Sequence, residues 1–325
     1  VRLAKAILLR LLFGVVSLIF ITFVAFIADE LAPGDAATVR AGEKATLAQI
    51  ERLRRDMGLD RPWHVRYVET LGKMSRGDFG ESYLGIREPV IDIIKRNLPM
   101  TMRLAMVAIL LAVTIGLTLG TLAAIYENRG ADRAVLTLST FGVTVPAFVL
   151  GPLLAILFNN YLNDYIYGSF GVYVADSWST NRKQADWLYL ILPVVVLSAR
   201  PAAMLTRLTR ASMIETMQQE FIRTAIAKGV PFRRLVIKHA LRNAILPVVT
   251  ATGTSFGFLL TGSFVTESFF LLPGLGRETI EAIKQTNAPV VQGCIIVTGL
   301  MFLAINLIVD LLLPALDPRI REAQV

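Results

Sequence analysis

Apolar residues in this chain fall into long runs separated by short polar stretches. Six runs are long enough to cross a membrane as helices: Leu9–Ala28, Met102–Ile125, Val135–Phe158, Trp187–Met204, Ile245–Val265 and Val290–Leu313. A helix of about 20 residues spans the roughly 30 Å hydrocarbon layer of a bilayer. The third run carries Pro146 and Pro152, and the fourth carries Pro193 and Pro201. Proline inside a membrane helix predicts a kink, because neighbouring groups can satisfy the freed carbonyls. Glycines recur within the runs: Gly116 and Gly120 are four apart in the second, and Gly253, Gly257 and Gly262 mark the fifth. Such spacing allows close approach of helices.

Composition agrees with the pattern. Of 325 residues, 54% are hydrophobic and 18% charged, and the mean hydropathy is +0.58, far from a soluble globular average. The expected fold is an all-α integral membrane protein with six transmembrane helices. The first run follows basic residues, as a signal peptide does. It is longer than a signal's apolar core, however, and Asp29-Glu30 follows without a small-residue cleavage site, so it reads as a retained first span.

Charge sets the expected orientation. Between the fourth and fifth runs lie eight basic residues, Arg207, Arg210, Arg223, Lys228, Arg233, Arg234, Lys238 and Arg242, against Glu215 and Glu220. Short basic loops stay in the cytoplasm, which with six spans places both termini there too. The segment 29–101 then lies on the opposite side. Its twelve acidic and twelve basic residues carry no basic stripe of the kind that binds nucleic acid. Thr46 and Gln49 can form a capping box, Leu47, Ile50, Leu53 and Met57 recur at helical spacing, and Gly58 can end the helix. With the turn-rich stretch Arg76–Ser82, this predicts a small extracytoplasmic subdomain of helices and turns. The organisation expected is thus residues 1–28 (N-terminus and first span), 29–101 (subdomain) and 102–325 (transmembrane core, with a cytoplasmic loop at about 205–244).

Catalytic signatures are missing. The sequence has no phosphate-binding G-x-x-x-x-G-K-[ST], no H-E-x-x-H and no G-x-S-x-G. One cysteine and two histidines make neither a disulfide nor a soft-metal site. Asn306 and Asp310 form the one polar pair inviting a proton-relay reading, and Asp310 lies close to the helix end. Arg103 can snorkel to the interface; Arg200 could do so too, but its place beside Pro201 leaves its depth open. Transport energised elsewhere fits better than an enzyme or a proton-driven carrier.

The basic loop contains the feature that could receive that energy. In EFIRTAIAKG, Glu220 to Gly229, the residues Phe221, Ile222, Ala225 and Ile226 share a helical face, Lys228 suits the helix C-terminus, and Gly229 suits a left-handed cap. Pro231 then opens a second helix. Two short helices with a sharp bend make a knob. Physics leaves three readings open: an amphipathic elbow among anionic headgroups, a topology signal, or a docking site for a cytoplasmic partner.

The same segment resembles the EAA-type loop of ABC transporter permeases, in the oligopeptide/dipeptide importer branch, B-type subunit. Glu220, Arg223, Thr224, Ala225, Ala227, Lys228 and Gly229, followed by His239, Ala240, Leu241, Ala244, Leu246 and Pro247, carry the likeness. Arg223 and Thr224 replace the first two residues of the general E-A-A triplet, which favours the peptide branch over sugar or amino-acid permeases. Similar family stretches are Ala32–Asp35, Met57–Pro62, Gly77–Gly80, Gly142–Phe148, the run holding Arg207, Arg210, Met213 and Glu215, then Thr261–Ser263 with Glu267, Pro273–Gly276, Asp310 and Asp317–Arg319.

The resemblance implies the ABC type I importer permease fold in the bacterial inner membrane. It implies a second homologous permease subunit, two cytoplasmic ATPases that bind ATP and Mg2+, an extracytoplasmic substrate-binding protein, peptide cargo and surrounding lipid. No cofactor, metal or catalytic residue is expected in this chain. Coupling to the ATPase would fall to Glu220, Arg223, Thr224, Ala225, Lys228, Gly229, Arg233 and Arg234. The path or outer gate would involve Gly253, Gly257, Thr261, Gly262, Ser263 and Glu267, and the binding protein would meet Asp35, Asp78 and Phe79. Related branches carry metal chelates, glutathione-like peptides, sugars or opines; a stand-alone secondary transporter is the alternative of another class.

Overall fold

Long apolar stretches without water have to satisfy their backbone groups internally, and helices do so. The computed structural model describes residues 2–31, 36–42, 45–84, 86–158 and 188–316. Among these residues every regular element is helical, apart from an isolated bridge between Glu81 and Pro89. Five helical stretches have the length and apolarity to cross a membrane: Leu11–Leu31, Val90–Ile125, Ile191–Met217, Phe232–Leu260 and Ala288–Val309. Two further apolar helices, Gly130–Thr144 and Ala147–Leu157, are bent by 110° at their junction and make a sixth when the pair is counted as one broken span.

That junction departs from the expected kink. Pro146 cannot donate a backbone hydrogen bond and disfavours helical conformation in the residue before it. Val145 is accordingly extended, with φ −78° and ψ 118°, and Pro146 starts the second helix. The prolines of the fourth span act differently: Pro193 lies in the first turn of Ile191–Met217, and Pro201 is carried within that continuous helix.

One compact unit comprises Val1–Met102 and Leu272–Ala304. It contains α1 (Arg2–Leu31), α2 (Ala36–Ala41), α3 (Leu47–Asp56), α4 (Trp63–Met74) and the first part of α5 (Val90–Ile125). The Thr46 capping box forms as expected, and Gly58 takes φ +66° to close α3. α4 is tied to α1 by aromatic packing of Tyr67 with Phe23 and Phe26, and by the Tyr67 hydroxyl donating to the Ile19 carbonyl at 2.9 Å. Val90, Ile93, Ile94, Leu275, Ala282, Val290 and Cys294 form a buried cluster. This cluster explains why α5 begins twelve residues before the apolar run that announced it: Val90, Ile93 and Ile94 are on the buried face of its polar early turns.

The second unit comprises Arg103–Leu271 and Ile305–Val325. It holds the rest of α5, the bent pair α6 (Gly130–Thr144) and α7 (Ala147–Leu157), then α8 (Ile191–Met217), α9 (Glu220–Ala227) and α10 (Leu241–Phe269). Glycine permits its closest packing. A Cβ at Gly116 would lie 2.6 Å from Leu205 Cβ, and one at Gly120 would lie 2.5 Å from Thr209 Cβ and 2.6 Å from the Thr206 carbonyl oxygen. No side chain fits there, so the G-x-x-x-G is the seam between α5 and α8.

Candidate functional site

α9 projects as a short helix with a buried root. Ile222 and Ala225 pack with Met213 of α8 and with Leu235, Val236, Ala240 and Ala244. Burying Ile222 completely contributes about 1.5–3 kcal/mol, enough to hold a two-turn helix that is marginal in isolation. The expected apolar face of α9 therefore divides: Ile222 and Ala225 turn inward, while Phe221 and Ile226 are exposed. Arg223, Thr224, Lys228, Arg233 and Arg234 are exposed too, and Phe232 adds a further exposed ring.

The end of α9 is set by Gly229. Its N–H donates to Ile226 O at 2.9 Å, and the Val230 N–H donates to Ala225 O at 3.1 Å. This pair of bonds is a Schellman cap, which requires a left-handed residue. Gly229 supplies it with φ +75°, and a Cβ there would meet nothing within 4 Å. The constraint is conformational, not steric. Glu220 accepts from Arg223 Nη1 at 2.8 Å, and its carbonyl accepts from the Thr224 hydroxyl at 3.0 Å. The Glu220–Arg223 pair is well exposed, so it contributes little stability.

The second short helix differs from a plain α-helical turn. After Phe232–Arg234, residues Leu235–Ala240 are π-helical and run into α10. The wider turn lets Leu235 and Ala240, five apart, share the buried side. Nothing in the apolar spacing announced it.

The residues assigned to a path or gate are dispersed by burial. Gly253 packs so closely that a Cβ would fall 2.8 Å from Val309 Cγ1 and Cγ2, and one at Gly262 would come 3.3 Å from Leu197 Cδ1. Ser263 and Glu267 are fully buried, with the Ser263 hydroxyl donating to Leu260 O at 2.8 Å. Gly257 is half-buried and Thr261 is on the same helix. The exposed residues described on α10 are instead Arg242, Asn243, Pro247, Thr250, Thr254, Phe258 and Val265.

The two described residues assigned to a binding-protein contact behave differently. Asp78 is exposed, and its Oδ1 accepts from Gly80 N at 2.9 Å, which shapes the turn. Phe79 packs against the Val90–Cys294 cluster. Asp35 lies outside the described residues. Beside this turn, Asn287 accepts from Tyr83 N at 3.0 Å and donates to Ser82 Oγ at 2.8 Å, and burial pushes the Tyr83 hydroxyl up to about 12. In the same unit, Asn97 Nδ2 donates to Glu278 Oε2 at 3.3 Å; burial, then the nearby Glu281 charge, raises the Glu278 carboxyl above its ordinary value.

Sequence reasoning missed an ion pair at the knob end of α8. Arg210 donates through Nε to Asp132 Oδ1 at 2.6 Å and through Nη2 to Asp132 Oδ2 at 2.7 Å. Asp132 also accepts from Asn128 N at 2.8 Å and is only 2% exposed. The partners are 78 residues apart, and the one local signal at Asp132 is its place as an acid in the first turn of α6. Among the described residues no group of three or more His, Cys, Asp or Glu side chains could hold a metal.

These features define a multi-pass helical membrane protein with a protruding helical knob on the loop between two spans. The chain belongs to the family described as "Binding-protein-dependent transport system inner membrane component", which matches residues 116–322; residues 3–105 match "Binding-prot-dependent transport system membrane comp, N-term". It is similar to the glutathione transport system permease protein GsiC of Pectobacterium atrosepticum, Salmonella typhi and Escherichia coli. With each it shares 38% identity over 312 residues, 96% of this chain and 97% of the relative. The chain is thus a membrane transport subunit, the permease of an ABC importer, with the fold of that family.

Proposed function

We propose that this permease forms half of the path of an ATP-driven importer of short peptides, glutathione-like peptides included. The relatives' glutathione transport function supports that cargo class. A second, homologous permease completes the path, a binding protein delivers cargo from outside, and two ATPase subunits holding ATP and Mg2+ dock beneath. This chain hydrolyses nothing. Both termini and α9 face the cytoplasm, and residues 29–101 form the extracytoplasmic subdomain.

The observation that carries the coupling assignment is the outer side of α9. Exposed Phe221 and Ile226, with Phe232 nearby, stand among Arg223, Lys228, Arg233 and Arg234 on a helix whose inner side is buried. Apolar anchors ringed by positive charge fit a protein groove. Because Ile222 and Ala225 seat α9 against Met213 of α8 and Ala244 of α10, a push on α9 is transmitted to two spans. ATP then biases a two-state equilibrium of the spans. Gly253, Gly257, Thr261, Gly262, Ser263 and Glu267 serve the translocation path or its outer gate, and Asp78 is the exposed contact for the binding protein.

The test is purification with partner chains retained, reconstitution, and uptake assays with dipeptides, glutathione and longer peptides. ATP-dependent uptake that requires the ATPases is expected. Uptake by this chain alone, driven by a proton or sodium gradient, contradicts the proposal.

A further inference from the structure

The exposed faces of α8 and α10 contain polar groups that a lipid-facing surface has no use for. On α8, Arg200, Met204, Arg207 and Ala211 are exposed at spacings of four, three and four, one helical stripe. On α10, Asn243, Thr250, Thr254 and Phe258 are exposed at spacings of seven, four and four, again one stripe. The two stripes meet where the Arg200 guanidinium carbon lies 5.8 Å from the centre of the Phe258 ring.

The place of Arg200 along α8 is informative. It lies nine residues from the start of α8 and ten from Arg210, the partner of Asp132. At 1.5 Å per residue these are about 14 Å and about 15 Å, so Arg200 lies well inside a helix long and apolar enough to cross a membrane. Among the described residues no carboxylate forms an ion pair with it. A charge carried within a membrane span characteristically faces a protein interior or a water-filled cavity.

The geometry points to the α8–α10 stripes as a wall of the water-filled path, with Arg200 as its site for an anionic group of the passing cargo, such as a peptide carboxylate. Phe258 holds the guanidinium over its ring and leaves the N–H fork free to engage the anion. Thr250 and Thr254 continue a polar track along α10, towards the knob end. This inference rests on the importer reading for the cargo, but the accessibility of the wall can be measured without any cargo.

The experiment uses the assembled transporter in a Cys294→Ala background, with labelling scored on this chain. Met204→Cys, Thr254→Cys and, as a lipid-facing control, Phe20→Cys are treated with anionic sulfonatoethyl or cationic trimethylammonioethyl methanethiosulfonate, without nucleotide and with bound ATP. Met204→Cys and Thr254→Cys should label in at least one state. The anionic reagent should react roughly tenfold faster than the cationic one, as a focused positive field requires. Arg200→Gln should bring that ratio close to one, and Arg200→Lys should restore most of it. Labelling no faster than at Phe20→Cys would overturn the wall assignment and mark the face as covered by lipid or by the second permease. Accessibility with a charge ratio indifferent to Arg200 would overturn the anion site. If the expected labelling appears but no peptide is imported, the importer cargo is wrong and the anion site stands.

Discussion

α1 and the α8–α10 pair both expose long helical faces, with contrasting chemistry. The outward side of α1 presents Leu12, Phe13, Val16, Ile19, Phe20 and Val24, with Ser17 the one exposed polar side chain between Leu12 and Val24 and no charged one there. The α8–α10 face mixes Met204 and Phe258 with Arg200, Arg207, Thr250 and Thr254. Hydrocarbon accepts the first surface and penalises the second. Exposure in a membrane protein thus has two meanings, and the polar content of the stripe separates them. A second contrast lies within α8: Arg210 is locked to a buried carboxylate, whereas Arg200, ten residues away, rests on an aromatic ring.

The largest expected effect comes from breaking the locked arginine. Asp132→Ala leaves Arg210 without its buried partner, and such losses cost about 3–5 kcal/mol. Thermal unfolding of the purified complex should show a marked drop, partly recovered when Arg210→Met is added. Arg200→Leu should leave the unfolding temperature nearly unchanged. Equal losses at both positions would erase the distinction between the two arginines.

Next in size is a charge placed on the apolar face. Phe20→Arg puts a cation near the centre of the first span, with an insertion penalty of about 2.5–3.5 kcal/mol. Membrane-inserted protein, measured by quantitative fractionation, should fall sharply. Normal insertion would show that α1 does not face lipid.

A smaller effect follows at the knob. Gly229→Ile forces a β-branched residue into left-handed conformation, at about 1–3 kcal/mol. Gly229→Asn tolerates that conformation. ATP-driven uptake should be impaired by Ile and largely retained with Asn, with insertion normal in both. Similar uptake for the two would detach coupling from the cap. The smallest effect is expected from Phe258→Leu, which removes a cation–π contact worth about 0.5–2 kcal/mol and should raise the KM of uptake severalfold while the amount of assembled complex stays constant.

Local signals are legible in the sequence. Thr46 with Gln49, Gly58 and Gly229 each announce a helix boundary through backbone chemistry, and Gly116 with Gly120 announces a seam. The apolar runs located the spans, but the break at Val145-Pro146 is larger than a proline alone dictates, since Pro201 is carried without a break. What the runs could not disclose depends on partners distant in the chain. Val309, which packs against Gly253, lies 56 residues further along the chain, and Asp132 gains meaning only from Arg210. Ile226 fell on the apolar side of α9 by periodicity, yet Leu235 and Val236 cover only Ile222 and Ala225. Periodicity reports which residues share a face, while burial depends on what that face meets.

Site-specific cross-linking from the outer side of α9 tests the central claim most directly. In the reconstituted complex, a photoreactive cysteine reagent on Ile226→Cys should capture an ATPase subunit, with a yield that changes when ATP binds. The same reagent on Phe20→Cys should capture lipid. Capture of lipid alone from Ile226→Cys, in a preparation with full ATP-driven uptake, would contradict the assignment of α9 as the point where ATPase motion enters the membrane.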